Sequence, residues 1–115
     1  MSGPAAVLER VCAVRGLRGA VIVSSADGLV IAESLMEGVD GRAVAALAAS
    51  LMLRLRRAVE AAGRSAPAFV QLAAEQGSVL AAPAGDDLVL VAVAGPDANV
   101  GLARLELLAA ARSLA

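Results

Sequence analysis

The chain has 115 residues, of which 59% are hydrophobic and 18% are charged, and its formal net charge at pH 7 is −1. This composition is typical of a single globular domain over residues 1–115 and excludes a disordered chain. A near-neutral charge and one aromatic residue also exclude the basic surface and stacking aromatics of a nucleic-acid-binding protein.

The cellular compartment is indicated by what the sequence does not contain. Its longest apolar runs stop well short of the ~20 residues that a membrane span requires. No basic segment followed by an apolar run and a cleavage site is present, so we expect no secretion signal. The one cysteine, Cys12, has no partner for an internal disulfide, which fits a reducing compartment. We therefore expect a soluble, cytoplasmic protein with no membrane insertion.

The first elements are a helix and two strands. Residues 4–15 place Val and Leu at helical spacing, and Gly16 is suited to stop that helix. Two β-branched, apolar runs then flank Asp27 and Gly28. This dipeptide is typical of a tight hairpin turn, because Gly adopts positive φ without strain.

A long helix and three further strands follow. Asp40 is a candidate N-cap for a helix from about residue 41 to residue 62, and Gly63 is its expected end. The strands are FVQLAAEQ, VLAAP and LVLVAVAG, separated by turns at Gly77-Ser78 and at residues 84–87. A last helix, VGLARLELLAAARSLA, is capped by Asp97 or Asn99, and the sequence leaves both open.

This order of elements, α-β-β-α-β-β-β-α, predicts the fold class. The links within each group of strands are too short for parallel crossovers, so the sheet should be antiparallel. The fifth strand, LVLVAVA, is apolar on both faces and should lie centrally with helices on either side. The third strand follows Pro67 and should lie at an edge. We predict an α+β sandwich.

Enzymatic chemistry is largely eliminated by missing residue types. Without His and Lys the chain has no Ser-His or Cys-His pair, no imidazole metal ligand and no phosphate-binding lysine loop. Cys12 lies among apolar residues and is predicted to be a core residue. Asp86 and Asp87 adjoin a glycine and are predicted to form a solvated turn. We expect no catalytic residue, no metal ligand and no cofactor, so the protein is not predicted to be an enzyme.

The long helix carries apolar residues on two sides. The side predicted to contact the sheet consists of Val44, Leu47, Leu51, Leu55 and Ala58. The opposite side consists of Ala46, Ala49, Ser50 and Leu53. Its small side chains would let a second helix approach closely, and a second copy of the chain is the natural partner. The alternative is that Ala fills an exposed face simply because it is a good helix former.

The predicted edge strand offers a second route to self-association. Exposed strand edges pair with other chains unless charge blunts them, and only Glu75 does so here. We therefore predict a homodimer through the long helix and the third strand, disrupted by Leu53→Arg. The predicted interface residues are Ala46, Ala49, Ser50, Leu53, Phe69, Gln71 and Ala73.

The assembled pattern resembles the roadblock/dynein light chain family. The resemblance runs from about Val7 to Leu114. It is carried by GLRGAVIVSSADGLVIAES, by the Ala-rich helix AVAALAASLMLRLRRAVEAAG, and by LAAPAGDDLVLVAVAGPDANVG leading into LARLELLAAARSLA. Each element is common alone, but their order and spacing together are fairly specific. The resemblance implies a single roadblock-like domain.

The resemblance also implies a fold and a function. The fold is a five-stranded antiparallel sheet with helices on both faces, close to profilin-like and longin-like domains. Family members form homodimers in which the sheet continues across the pair and the long helices lie together. They bind small Ras-like GTPases and act as regulators, GTPase activators or scaffolds in polarity, motility or signalling, and eukaryotic members attach to dynein.

Two questions stay open at the level of sequence. An activating protein could supply an arginine finger, for which the candidates are Arg15, Arg18, Arg54, Arg56 and Arg57. Arginines that simply solvate the surface explain these residues better, so none is assigned a role. The alternative function, a small-ligand sensor built on a related sandwich fold, is disfavoured because the interior offers few polar anchors.

Overall fold

The structure, a computed structural model, describes residues 3–114. Along this range the elements are α1 (Pro4–Cys12), β1 (Leu17–Ser24), β2 (Val30–Leu35), α2 (Gly41–Ala61), β3 (Val70–Ala74), β4 (Gly77–Ala84), β5 (Leu88–Ala94) and α3 (Val100–Leu114). The five strands form one sheet in the order β2-β1-β5-β4-β3, and every neighbouring pair is antiparallel. The predicted α+β sandwich is therefore confirmed, with β5 at the centre and β3 at an edge.

Helices cover both faces of the sheet. On one face, here called the α1/α3 face, Leu8, Ile22, Leu80, Leu90 and Leu107 are fully buried in a common core. The other face, here called the α2 face, buries a smaller cluster in which strand valines meet the alanines of α2. Alternation along β1 and β5 supplies both cores, because successive side chains of a strand point to opposite faces.

Side-chain caps fix the starts of two helices. The Asp40 carboxylate accepts a hydrogen bond from the Ala43 N–H at 3.1 Å, which confirms it as the N-cap of α2. The Asn99 side chain accepts a hydrogen bond from the Leu102 N–H at 3.0 Å. Asn99, and not Asp97, therefore caps α3. Each such cap contributes about 1 kcal/mol to helix stability.

Two of the turns differ from their predicted form. The Ser24 N–H donates to the Leu29 carbonyl oxygen at 2.9 Å, and five residues connect β1 and β2 instead of a tight two-residue turn. Between β3 and β4 the predicted turn at Gly77-Ser78 is wrong, because Gly77 pairs with Ala74 inside the ladder. A glycine is needed there for a different reason: its φ is +137°, and a Cβ atom would collide with the Ala94 carbonyl oxygen.

The sheet-facing side of α2 was predicted wrongly. The side chains that pack on the sheet are Ala45, Ala48, Ala49 and Met52, whereas Leu47 is 60% exposed. Val44, Leu51 and Leu55 are half-buried and Ala58 is exposed. Helical periodicity located two apolar sides, but the stripe that faces the sheet lies between them and includes only Ala49 of the predicted small side.

Valines of the sheet explain this choice. Val21, Val23, Val89 and Val91 are buried on the α2 face and fill the layer between strand and helix. Little depth is left above them, since protein interiors are close-packed, and three of the four α2 side chains that pack there are alanines, the fourth being the flexible Met52. At the start of α2 the fit is equally close, because a Cβ on Gly41 would stand 2.6 Å from atoms of the Glu33 and Leu35 side chains.

Candidate interaction surface

The α2 face of the sheet is only half covered. Helix α2 packs over β2, β1 and β5, and its contacts with β3 and β4 are few. Side chains of β3 and of the first part of β4 on this face are consequently covered only in part. Val70 and Val79 are half-buried, and Leu72 is 44% exposed. Apolar side chains left open beside a helix mark a candidate protein-binding surface.

One flank of α2 borders this uncovered region. Val44, Leu47 and Leu51 face Val70 and Leu72 across a shallow groove of about 40 Å³. All of the lining residues are apolar, and this volume is far below the ~300 Å³ of a typical small-ligand pocket. We refer to Val44, Leu47, Leu51, Val70, Leu72 and Val79 as the α2–β3 surface. Its chemistry suits a macromolecular partner and not a small molecule.

The backbone of β3 is open along the same border. Residues Val70–Ala74 pair with β4 on one side and form the last strand of the sheet on the other. The strand VQLAA contains no charged residue, and the nearest charge is Glu75 in the turn that follows. An uncharged edge strand presents unpaired N–H and carbonyl groups that can bind another strand.

The predicted interface residues of α2 lie on other parts of the helix. Ala46 and Ser50 are exposed, and Ala46 borders a groove beside β2 at the far edge of the sheet. Ala49 is only 8% exposed and packs on the chain's own sheet, so it has little surface to offer a partner. Leu53 is 43% exposed but faces the β1–β2 and β4–β5 turns instead of β3.

The predicted residues of β3 point toward α3. Phe69 is half-buried against the α1/α3 core, and the Arg104 guanidinium lies over its ring at 5.1 Å. Gln71 is paired with Leu80, which is buried in the same core, so both point to the α1/α3 face. Gln71 and Ala73 are exposed. The structure does not bring these three residues together with Ala46, Ala49, Ser50 and Leu53.

The α2–β3 surface was thus missed by the sequence prediction, although part of its signal was available. Leu47 and Leu51 were recognised as a stripe but assigned to the chain's own sheet. Alternation along VQLAA separates Val70 and Leu72 from Gln71, and that pattern was visible in the sequence. Only the position of α2 over the other half of the sheet decides that these leucines and β3 border one another.

Reactive groups are scarce in the described part of the chain. Cys12 is half-buried with its Sγ 3.8 Å from the Ser34 carbonyl oxygen, and burial raises the pKa of this thiol. A raised pKa leaves less thiolate and a less reactive cysteine. Across residues 3–114 no cluster of Cys, Asp or Glu is arranged to hold a metal ion. Over the same range, no helix is both long enough and apolar enough to cross a bilayer.

Comparison with known proteins decides the family. A sequence model of the Roadblock/LC7 domain family matches residues 5–94, most of the chain. The chain belongs to the Roadblock/LC7 domain family. This confirms the resemblance identified from the sequence, and the α1–β5 part of the fold is the part that the match covers. A search of curated proteins gives no match.

Solved Roadblock/LC7 structures share the whole fold. "MglB with tetrameric arrangement" superimposes with a TM-score of 0.86 at 22% identity, covering 99% of this chain and 90% of that one. A Roadblock/LC7 domain from Streptomyces avermitilis gives a TM-score of 0.84 at 23% identity, covering 97% and 94%. Myxococcus xanthus MglB gives 0.86 at 20% identity, covering 95% and 89%. At these identities the likeness establishes the fold.

Proposed function

We propose that this Roadblock/LC7 domain is a homodimeric interaction module that binds and regulates a small Ras-like GTPase and has no active site of its own. The observation that carries the proposal is the α2–β3 surface. In it an apolar helix flank and an uncharged strand edge lie side by side and are uncovered in the single chain. A family that self-associates and recruits GTPases needs such a surface.

A second copy satisfies both halves of this surface at once. Antiparallel pairing of β3 with the partner's β3 about a two-fold axis supplies the missing strand and removes the open edge. The same axis brings the partner's α2 over the uncovered side of the sheet, where Leu47 and Leu51 meet their symmetry mates and cover Leu72. The tetrameric arrangement of MglB, a protein of similar structure, supports self-association of this fold.

The GTPase would bind the outward side of the paired helices. Ser50, Arg54 and Arg57 are exposed on α2, which places a small polar side chain beside positive charge. Arg15 and Arg18 are also exposed, and Arg56 is half-buried. None of these arginines takes part in a side-chain hydrogen bond among residues 3–114, so none is pre-oriented as an arginine finger. The proposed action is to hold the GTPase's own catalytic groups in position.

A pair of matched substitutions tests the dimer. Leu47 and Leu53 are both exposed leucines of α2, but only Leu47 lies on the α2–β3 surface. We expect Leu47→Arg to weaken dimerisation by at least about tenfold, because it buries a guanidinium in an apolar seam. Leu53→Arg should leave the dimer intact. Light scattering and sedimentation at low micromolar concentration measure both, and circular dichroism verifies the fold.

Each outcome of that comparison has a clear meaning. Dissociation by Leu53→Arg but not by Leu47→Arg would restore the interface predicted from the sequence and overturn the one proposed here. A monomeric parent chain would remove the homodimer altogether.

GTPase binding is tested with purified partners. A Ras-like GTPase from the same organism, loaded with GDP or with a non-hydrolysable GTP analogue, is titrated with the wild-type chain while hydrolysis of GTP is followed separately. We expect binding that depends on the nucleotide and a changed hydrolysis rate. An Arg54→Ala/Arg57→Ala double variant should weaken binding while remaining dimeric. If no Ras-like GTPase of the organism binds in either nucleotide state, the regulatory role is wrong.

A further inference from the structure

A cleft separate from the α2–β3 surface lies at one end of the sheet. It is bounded by the C-terminal half of α2, by the β1–β2 turn and by the β4–β5 turn, and its volume is about 330 Å³. This volume falls within the range of about 300–1,000 Å³ that is typical of small-ligand pockets. The dimer and the GTPase proposal make no use of its interior.

Hydrogen bonds between the two turns hold one wall of the cleft in place. The Ser25 hydroxyl donates to the Asp86 carbonyl oxygen at 3.0 Å, and the Ser25 N–H donates to the Asp87 carbonyl oxygen at 2.8 Å. Because a side-chain bond and a backbone bond join the same two turns, the wall is formed before any ligand arrives. A preformed site loses little conformational entropy on binding.

The cleft combines apolar lining residues with one arginine. Met52, Leu53 and Val89 contribute hydrocarbon surface, and Arg56 lines the same space. Arg56 is half-buried, unlike its exposed neighbour Arg57, and none of the side-chain hydrogen bonds within residues 3–114 uses its guanidinium. A guanidinium that is partly removed from water gains more from a carboxylate than a fully solvated one does, and it binds carboxylates in a bidentate manner.

Two carboxylates in the lining restrict which anions can enter. Asp86 and Asp87 line the cleft and are exposed, whereas Arg56 in the same lining is half-buried. Their charge repels highly charged anions such as phosphates and dicarboxylates, whereas a singly charged acid is opposed least. The apolar lining in turn favours a ligand with a hydrocarbon body.

We propose that this cleft binds a small aliphatic monocarboxylate, with the carboxylate on Arg56 and the hydrocarbon body on Met52, Leu53 and Val89. The domain would then bind a small ligand in addition to its proposed protein partners. It shares α2 with the proposed dimer and GTPase surfaces, so bound ligand would stabilise the helix that carries both.

Three ligands of graded chemistry test the site. The wild-type chain is titrated with 4-methylpentanoate, with the uncharged 4-methylpentan-1-ol of the same skeleton, and with inorganic phosphate, by calorimetry and by ¹H–¹⁵N spectra. We expect 4-methylpentanoate to bind at least tenfold more tightly than the other two. Amide shifts should be confined to the turns around Ser25 and Asp87 and to α2 near Arg56.

Matched arginine variants complete the test. Arg56→Gln keeps a polar side chain without the charge and should lower the affinity for 4-methylpentanoate at least tenfold, whereas Arg57→Gln should leave it unchanged. Equal binding of the alcohol would reduce the cleft to an apolar depression, and equal binding of phosphate would make Arg56 a general anion contact. Either result overturns the proposal. An effect of Arg57→Gln as large as that of Arg56→Gln would overturn it too, and so would the absence of binding at 10 mM ligand, which is roughly the weak limit of recognition. The dimerisation test does not depend on this outcome.

Discussion

The two faces of the sheet are covered to different extents, although the same strands supply both. On the α1/α3 face, two helices extend the core from Ile22 on β1 to Leu80 on β4. On the α2 face, one helix covers the part of the sheet formed by β2, β1 and β5, and Leu72 on β3 remains 44% exposed. The first face is covered by the chain's own helices from β1 to β4. The α2 face has the most apolar surface left for a partner to bury. This difference between the two faces supports the proposed association surface independently of any related protein.

Truncation of one leucine on each face should give the largest difference in stability between the two faces. Leu107 is fully buried on the α1/α3 face, so Leu107→Ala should lower the free energy of unfolding by about 2–5 kcal/mol. Leu72→Ala, made in the monomeric Leu47→Arg background, should cost less than about 1 kcal/mol because the side chain is already hydrated. Urea denaturation measures both. Equal losses would mean that the α2 face is covered within the single chain.

The close approach of α2 to the sheet can be challenged by enlarging its small residues. Ala48 is buried against the strand valines and Ala46 is exposed, two positions earlier on the same helix. We expect Ala48→Leu to destabilise the fold by about 1–3 kcal/mol through overpacking. Ala46→Leu, the matched control, should change stability by no more than about 0.5 kcal/mol. Thermal unfolding followed by circular dichroism compares the two, and a tolerated Ala48→Leu would contradict the close packing.

Helix caps give a smaller effect on each face. Asp40→Ala removes the cap of α2 and Asn99→Ala removes that of α3, and each should cost about 1 kcal/mol. Asp97→Ala serves as the control, because Asn99 already bonds the first turn of α3. A loss for Asp97→Ala equal to that for Asn99→Ala would contradict the assignment of the cap to Asn99. Hydrogen exchange at the Ala43 and Leu102 amides would localise the change.

Cys12 provides the smallest effect and reports on the α1/α3 face alone. Because burial raises the pKa of its thiol in the folded state, the unfolded chain loses this proton first as pH increases. The stabilisation is therefore full below the ordinary thiol pKa and is lost as pH rises through the folded value. Wild type should lose stability relative to Cys12→Ala over that alkaline window. A constant difference between the two proteins would show that the thiol is not held neutral by burial.

Much of the fold could be predicted because local signals agree with one another. Asp40 and Gly63 mark the ends of α2. β5 is apolar on both faces, which indicates a central strand, and the short links between strands indicate antiparallel pairing. The turn at Gly77 was misplaced for the opposite reason. A glycine is needed there because a side chain would collide with the Ala94 carbonyl oxygen of another strand, and such a long-range contact leaves no signal in the local sequence.

The sequence by itself determined the elements, the antiparallel sheet and the existence of two apolar sides on α2. Only the tertiary structure decided which residues of α2 meet the sheet, because helical period gives the angle between stripes and not the depth of the space each must fill. Above Val21 and Val91 the helix packs mainly alanines, with Met52 as the one long side chain, and Leu47 and Leu53 are exposed. Tertiary packing likewise placed Leu47 beside β3, Phe69 beneath Arg104 and Arg56 in a cleft, since each position depends on residues far away in the chain.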